Sequence, residues 1–171
     1  MPQCFPAHWL PVCLVAMLVV CGCESAPDKT LSQEHAALIL SEEPAGALSP
    51  TEVMENDPSE TEIVLAGRIH AGDIDPFQAG QAAFMLTQLP DEGHGADDPD
   101  HADNCPFCKR RLEKAPKAIV QFLDANGDVI KTDAKAMFGV AKGDAVVVRG
   151  KVRYQEATNT LSVDATGLFK R

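Results

Sequence analysis

The stretch Lys142-Gly-Asp-Ala-Val-Val-Val-Arg-Gly-Lys-Val152 contains the clearest fold signal in this chain of 171 residues. A Lys-Gly-Asp turn leads into a largely alternating apolar and polar run that continues to Tyr154, and this pattern places the even-numbered positions on one face of a strand. After a polar connection, residues 161–169 alternate in the same phase. The two runs predict a long hairpin of two antiparallel strands.

The residues before this hairpin predict further strands and one short helix. Three more apolar runs cover residues 62–69, 82–89 and 117–123. The third run is followed by Asn126-Gly127, which is a strong signal for a hairpin turn, and Val129–Thr132 would form the returning strand. Asp133 is a suitable N-cap for a helix over residues 134–138, and Gly139 would end it.

Two glycines interrupt predicted strands. Gly67 and Gly150 would weaken a flat sheet, so their positions favour a sharply coiled sheet or the close approach of another backbone. This pattern of glycines and apolar alternation over residues 62–171 resembles the OB-fold, with Val64-Leu-Ala-Gly-Arg68 as its opening strand. It is similar to the single OB domains of exported bacterial proteins, some of which are grouped with anticodon-binding-like domains. The resemblance implies an all-β fold, a small five- to six-stranded Greek-key barrel with one short helix.

The amino-terminal segment, residues 1–23, predicts export. Residues 9–20 form an apolar run that has the length of a signal-peptide core and is too short to span a bilayer. The run ends in Val20-Cys21-Gly22-Cys23, which resembles the signal of a bacterial lipoprotein, where a cysteine is lipidated and becomes the new amino terminus. Cys23 follows a small residue and is a better candidate than Cys21. Residues 2–8 lack the usual basic residues, and an ordinary signal peptide or a short hydrophobic anchor is the alternative.

Charge is unevenly distributed along the chain. Residues 1–104 contain 18 acidic residues and only two basic ones, whereas 13 of the 15 Lys and Arg residues follow. Residues 24–61 hold nine acids and one lysine without a sustained apolar period, which predicts a disordered acidic tether. We therefore expect an envelope protein, on the periplasmic or cell-surface side, that is attached to the membrane by a lipidated amino terminus and carries its folded domain at 62–171.

The segment 91–111 has the highest density of chemically active side chains. His94, His101, Cys105 and Cys108 have the spacing His-x6-His-x3-Cys-x2-Cys, and two imidazoles with two thiolates are typical of tetrahedral zinc. The six acids between residues 91 and 103 favour a cation as well. We expect a structural zinc site, because no residue set typical of hydrolysis accompanies it. His70 is a more distant candidate ligand or simply a surface residue at a strand end.

Three other interpretations of the cysteine pair remain open. Cys105-Pro-Phe-Cys108, followed by a basic run, resembles the active-site turn of glutaredoxin and thioredoxin, with Cys105 as attacking thiolate and Cys108 as resolving thiol. The polar residues before the motif do not form the apolar strand that such a site normally follows. The pair could also be a disulfide or unliganded thiols in an oxidising compartment. Cys-x2-Cys-Lys is also a rare variant of the covalent haem motif, but no second axial ligand is evident.

A basic row on the strand over residues 145–154 is a candidate ligand-binding face. Arg149, Lys151 and Arg153 occupy odd positions, which lie on the outer side of the predicted barrel. OB barrels commonly bind oligonucleotides or oligosaccharides, and a protein partner is also possible. Nucleic acid is not favoured, because single-strand binding needs exposed aromatic rings and only 5% of the residues are aromatic. We expect a binding or scaffolding module rather than an enzyme.

Overall fold

The computed structural model describes residues 35–56, 62–90 and 101–171, together with Met1. The strands are β1 (Glu62–Ile69), β2 (Ala83–Thr87), β3 (Lys117–Phe122), β4 (Ala145–Gln155) and β5 (Thr160–Lys170). The helices are α1 (Pro50–Glu55), α2 (His101–Asn104), α3 (Pro106–Lys114) and α4 (Ala134–Phe138), and a 3-10 turn covers Glu156–Thr158. Within these ranges, no helix has the length and apolar character needed to cross a bilayer.

The five strands close into a barrel in the order β1-β2-β3-β5-β4. Strand β3 runs parallel to β5, and the other neighbouring pairs are antiparallel. This order, with a helix between β3 and β4, is the Greek-key arrangement of a small OB-type barrel. The predicted all-β barrel is confirmed.

In the β4–β5 hairpin, the side chains of β4 alternate between the core and the solvent as predicted. The inward side chains Val146, Val148 and Val152 are fully buried, whereas the odd positions from Arg149 to Arg153 are exposed. The register shifts between Arg149 and Gly150, which marks a β-bulge. A Cβ atom on Gly150 would clash with the backbone carbonyl of Asp164, so the predicted approach of another backbone at this glycine is confirmed.

Helix α4 packs its apolar side chains against the barrel core. The Asp133 carboxylate accepts a hydrogen bond of 2.9 Å from the Lys135 backbone N–H, and Gly139 ends the helix with φ of 64°. The Phe138 ring lies 4.4 Å from the Phe122 ring, centroid to centroid. The predicted helix is therefore confirmed. The predicted returning strand at 129–132 is reduced to one bridge, between Leu123 and Val129.

Residues 35–56 lie on the barrel, and the prediction that they belong to a disordered tether is wrong. Strand β2 pairs with β1 only at Arg68 and Ile69, and Leu48 pairs with the edge that β2 leaves open. The Leu48 N–H donates to the Val64 carbonyl at 2.9 Å, and the Leu48 carbonyl accepts from the Ala66 N–H at 2.8 Å. This pairing supplies partners to backbone groups that would otherwise form an exposed strand edge.

A second contact fixes the beginning of the same segment. The Leu40 N–H donates to the Leu168 carbonyl at 2.8 Å, and the Leu168 N–H donates to the Leu38 carbonyl at 2.8 Å. Val53, in α1, is 2% exposed, so the segment also buries an apolar side chain. We call residues 35–56 the strap. The rest of the predicted tether, residues 24–34 and 57–61, and the predicted signal segment beyond Met1 lie outside the described residues.

Candidate metal centre

The two cysteines frame the first turn of α3. Cys105 is the residue before the helix and has extended backbone angles, with φ of −81° and ψ of 117°. Pro106 follows at the first helical position, where its fixed φ suits a helix start and its missing N–H is not needed. Cys108 is buried, at 7% exposure, whereas Cys105 is half-buried. Of the two thiols, that of Cys108 is therefore the better protected from bulk water.

Helix α2 places the imidazole of His101 close to the two cysteine sulfur atoms. The Cys105 N–H donates to the His101 carbonyl at 2.7 Å, and the Cys105 carbonyl accepts from the Lys109 N–H at 2.9 Å. The backbone thus passes from α2 into α3 through Cys105 with helix-type hydrogen bonds on both sides. The spacing of four residues between His101 and Cys105 places their side chains on one side of this turn. Among the described residues, the ligand atoms of His101, Cys105 and Cys108 all lie within 4.8 Å of one another.

This geometry is compatible with a tetrahedral ion. Zinc bonds of about 2.3 Å to sulfur and about 2.0 Å to nitrogen place neighbouring ligand atoms about 3.3–3.8 Å apart. The limit of 4.8 Å on the observed separations is about 1 Å above this range, so a contraction of that order would bring the ligand atoms to bonding geometry. The N-terminus of α3, which has nine residues, favours negative charge and so favours the thiolates that bind metals. The His/Cys/Cys group could therefore bind a metal ion.

Three of the four predicted metal ligands lie among the described residues, and the structure brings these three together. His101, Cys105 and Cys108 converge, while His94 lies outside the described residues. His70 does not belong to the group that the described residues form. It lies at the exit of β1, where its Nδ1 accepts a hydrogen bond of 3.2 Å from the Gly72 N–H. The identity of the metal as zinc and the role of His94 stay predictions.

The far end of α3 is attached to the turn between β4 and β5. The Lys114 carbonyl accepts a hydrogen bond of 3.5 Å from the side-chain amide of Asn159, and the Lys117 N–H donates to the Asn159 carbonyl at 3.4 Å. Asn159 has a left-handed backbone with φ of 48°, which asparagine tolerates better than most residues do. The Tyr154 hydroxyl donates a hydrogen bond of 3.2 Å to the side-chain oxygen of Asn159. Asn159 thus links the inserted helix to the barrel.

The basic row on β4 is partly neutralised by neighbouring acids. Arg153 makes two hydrogen bonds, of 2.8 and 3.2 Å, to the two carboxylate oxygens of Asp164. The Asp164 carboxylate also accepts a hydrogen bond of 2.7 Å from Gln121. Arg149 lies 4.0 Å from Glu62. These ion pairs lower the positive potential of the face formed by Arg149, Lys151 and Arg153, and its role in ligand binding stays a prediction.

Two carboxyl groups with lowered pKa values, those of Asp124 and Asp144, lie in loops of the barrel. Burial acts to raise the pKa of Asp144, but Lys170 at 2.6 Å and the Ala141 N–H at 2.8 Å stabilise the carboxylate, and the pKa is lowered overall. The pKa of Asp124 is lowered by the backbone N–H groups of Asp128 and Asn126, which donate to it. These carboxylates stabilise turns of the barrel.

The structure also contains a cleft that the sequence did not predict. It has a volume of about 250 Å³ and lies between α3 and one end of the barrel. Its lining includes His70, Thr87, Lys109, Leu112, Lys117 and Lys142. These residues come from separate segments that only the fold brings together, so no local motif could have indicated the site. We call it the α3 cleft.

Together, the fold and the site define a class: a small OB-like barrel that carries a His/Cys/Cys group able to hold a metal. No protein-family model and no curated protein match the sequence. Among solved structures, the chain is similar to a "putative aspartyl-tRNA synthetase" from Leishmania major Friedlin, with a TM-score of 0.45 and 10% identity over 83% of this chain. The chain spans 25% of the length of that protein. A TM-score of 0.45 is too low to support a conclusion about fold or function. The fold class is therefore assigned from the strand order of the barrel.

Proposed function

We propose that this protein is an exported, lipid-anchored binding module in which a structural zinc ion is held by Cys105, Cys108, His101 and His94. The observation that carries the metal site is the convergence of one imidazole and two thiols within 4.8 Å. Export and lipid anchoring are supported by the sequence pattern of residues 9–23 alone. His94 supplies the fourth ligand in this proposal, since a structural zinc site is closed by four protein ligands. A structural rather than catalytic metal is supported by the absence, among the residues of this group, of a carboxylate that could act as a general base.

Zinc is the metal that this donor set favours. Thiolate and imidazole ligands in a tetrahedral arrangement select zinc over magnesium and calcium, which require oxygen ligands. The ion would fix α2 to the first turn of α3. Because the unfolded segment has no preformed site, the free energy of metal binding would stabilise the folded state of the insertion.

The membrane anchor in this proposal is a lipid on Cys23. The strap begins at residue 35, so only residues 24–34 would separate the anchor from the barrel. Eleven residues span at most about 40 Å when fully extended, so the barrel would stay close to the membrane surface. Replacing Cys23 by Ser should release the protein from the membrane fraction, and mass spectrometry of the wild type should show a lipidated amino-terminal peptide. A Cys21→Ser variant is the control.

The zinc proposal is tested by elemental analysis of the full chain purified under reducing conditions. We expect one zinc per chain in the wild type, and loss of zinc in Cys105→Ser, Cys108→Ser and His101→Ala. His94→Ala should retain a weaker, exchangeable metal, because three ligands remain. His35→Ala removes an imidazole from the strap and is the matched control. Zinc that stays stoichiometric in Cys108→Ser would refute the proposed ligand set.

A second candidate function is supported by the unequal exposure of the two thiols. Cys105 is half-buried at the start of a helix and Cys108 is buried one turn later, which is the arrangement used by thiol–disulfide oxidoreductases. In that reaction the Cys105 thiolate would attack a substrate disulfide, and Cys108 would resolve the mixed disulfide. The substrate would leave as two thiols, and a Cys105–Cys108 disulfide would form. A metal-free protein that reduces insulin with thioredoxin-like efficiency would favour this function over the zinc site.

A further inference from the structure

We propose that the α3 cleft binds a small organic molecule carrying a single anionic group, either a carboxylate or a phosphate monoester. This molecule would be the ligand of the proposed binding module, so the inference rests on that function. The zinc ion is not part of the cleft, and it would affect binding only through the order of α3, which contributes Lys109, Leu112 and Glu113.

Three lysines from three separate elements converge on the cleft. Lys109 lies in α3, Lys117 begins β3, and Lys142 lies in the turn that leads into β4. Lysine side chains that line a concave site of about 250 Å³ supply hydrogen-bond donors and positive potential for an anion. The volume suits a small molecule rather than a polymer.

Lys142 is held in place by the backbone of the cleft wall. Its ammonium group donates to the Gly72 carbonyl at 2.7 Å and to the Ile74 carbonyl at 3.5 Å. An ammonium group has three N–H donors, so one remains for a ligand. Because the side chain is already ordered, binding an anion there costs less conformational entropy than ordering a mobile lysine would.

His70 and Thr87 add polar groups to the cleft wall. The Nδ1 atom of His70 accepts from the Gly72 N–H at 3.2 Å, so the neutral ring carries its proton on Nε2. Thr87 is 6% exposed, and its hydroxyl donates to the Arg68 carbonyl at 3.5 Å. That bond is long, so the hydroxyl can turn towards a ligand at small cost.

Two acids at the cleft set the charge of the ligand. Asp73 and Glu113 line it together with the three lysines, so the described part of its lining has a formal charge of +1 when His70 is neutral. A ligand with one anionic group suits this balance, whereas a polymer with several phosphates would also face both carboxylates. Leu112 and Ala71 add apolar surface, which suits the carbon skeleton of an organic anion better than a bare inorganic ion.

The test is a titration of the isotope-labelled full chain, followed by amide chemical shifts, with butyrate, inorganic phosphate and a thymidine decanucleotide in separate arms. We expect butyrate or phosphate to give saturable shifts that cluster at Gly72, Thr87, Lys109 and Lys117. The arm that saturates identifies the anionic group. Absence of saturation with both at millimolar concentration, or tighter binding of the decanucleotide at these residues, would overturn the proposal.

Variants assign the binding to the cleft. Lys109→Gln and Lys117→Gln should each weaken binding about tenfold, the expected effect of losing a hydrogen bond from a charged donor. Lys109→Arg should restore most of it. Lys151→Gln removes the same charge from the outer face of β4 and should leave the affinity unchanged. Equal weakening by Lys151→Gln would show that the anion responds only to net charge, which would refute the site.

The same titration of the Cys105→Ser/Cys108→Ser variant separates this inference from the zinc proposal. Saturable binding there supports the cleft even if elemental analysis finds no zinc in the wild type. Zinc binding by a wild type that fails to bind either anion would refute the cleft alone.

Discussion

The imidazole of His101 and the sulfur of Cys108 approach within 4.8 Å of each other, although His101 belongs to α2 and Cys108 to α3. Cys105 lies between the two helices and bonds to both through its backbone. One coordinated ion would therefore connect both helices, and its removal should affect them together.

Chelation of the metal should loosen the insertion but not the barrel. We expect amide hydrogen exchange over residues 101–114 to increase by at least tenfold after zinc removal, because the site contributes directly to the order of this segment. Amides in β4 and β5 should keep their protection. Equal loss of protection in both regions would show that the metal stabilises the whole domain instead.

The strap should contribute to stability through Val53. Val53→Ala should lower the free energy of unfolding by about 2 kcal/mol, since it removes two buried methyl groups and leaves a cavity. Glu55→Ala, on the exposed side of the same helix, should change it by less than about 0.5 kcal/mol. Urea denaturation measures both. Equal, negligible effects would mean that the strap is detached in solution.

The bulge at Gly150 should tolerate no side chain. Gly150→Ala would place a methyl group against the carbonyl of Asp164 and should destabilise the protein by roughly 1–3 kcal/mol. Lys151→Ala, an exposed change at the next residue of β4, is the control. A Gly150→Ala protein with wild-type stability would contradict the close approach of β5 at this position.

Stability should fall at acid pH because Asp124 and Asp144 have lowered pKa values in the folded state. A carboxyl group of this kind stabilises the fold at pH values above its ordinary pKa of 3.8. That contribution is lost as the pH decreases from this value through the folded-state pKa. Thermal melts of the Cys105→Ser/Cys108→Ser variant between neutral and acid pH avoid a contribution from metal release. Asp144→Asn should have a lower Tm at neutral pH and a shallower decrease below pH 3.8.

Local patterns in the sequence predict most of the barrel. The alternation at residues 62–69 and 145–154, and the capped helix at 134–138, depend on neighbouring residues and agree with β1, β4 and α4. The strap was not predicted because its order depends on pairing with residues that are not its neighbours in the sequence. Leu40 pairs with Leu168 in β5, and Leu48 pairs with Leu65 in β1. The α3 cleft escaped prediction for the same reason, since Lys109 and Lys142 meet only in the folded protein.

The candidate metal site could be predicted because its ligands lie close together in the sequence. His101, Cys105 and Cys108 span eight residues, and about two helical turns are sufficient to bring them together. The acids that neutralise the basic row on β4 could not be predicted from the sequence. Arg149 meets Glu62 and Arg153 meets Asp164 only because their strands pair in the barrel.

Zinc K-edge X-ray absorption of the full chain tests the central claim most directly. The proposed site predicts one zinc per chain, with two sulfur ligands at about 2.3 Å and two nitrogen ligands at about 2.0–2.1 Å. Cys108→Ser should lose one sulfur ligand from the spectrum or lose the metal. A zinc ion surrounded only by oxygen and nitrogen atoms, or a protein without zinc whose two cysteines form a disulfide, would contradict the account.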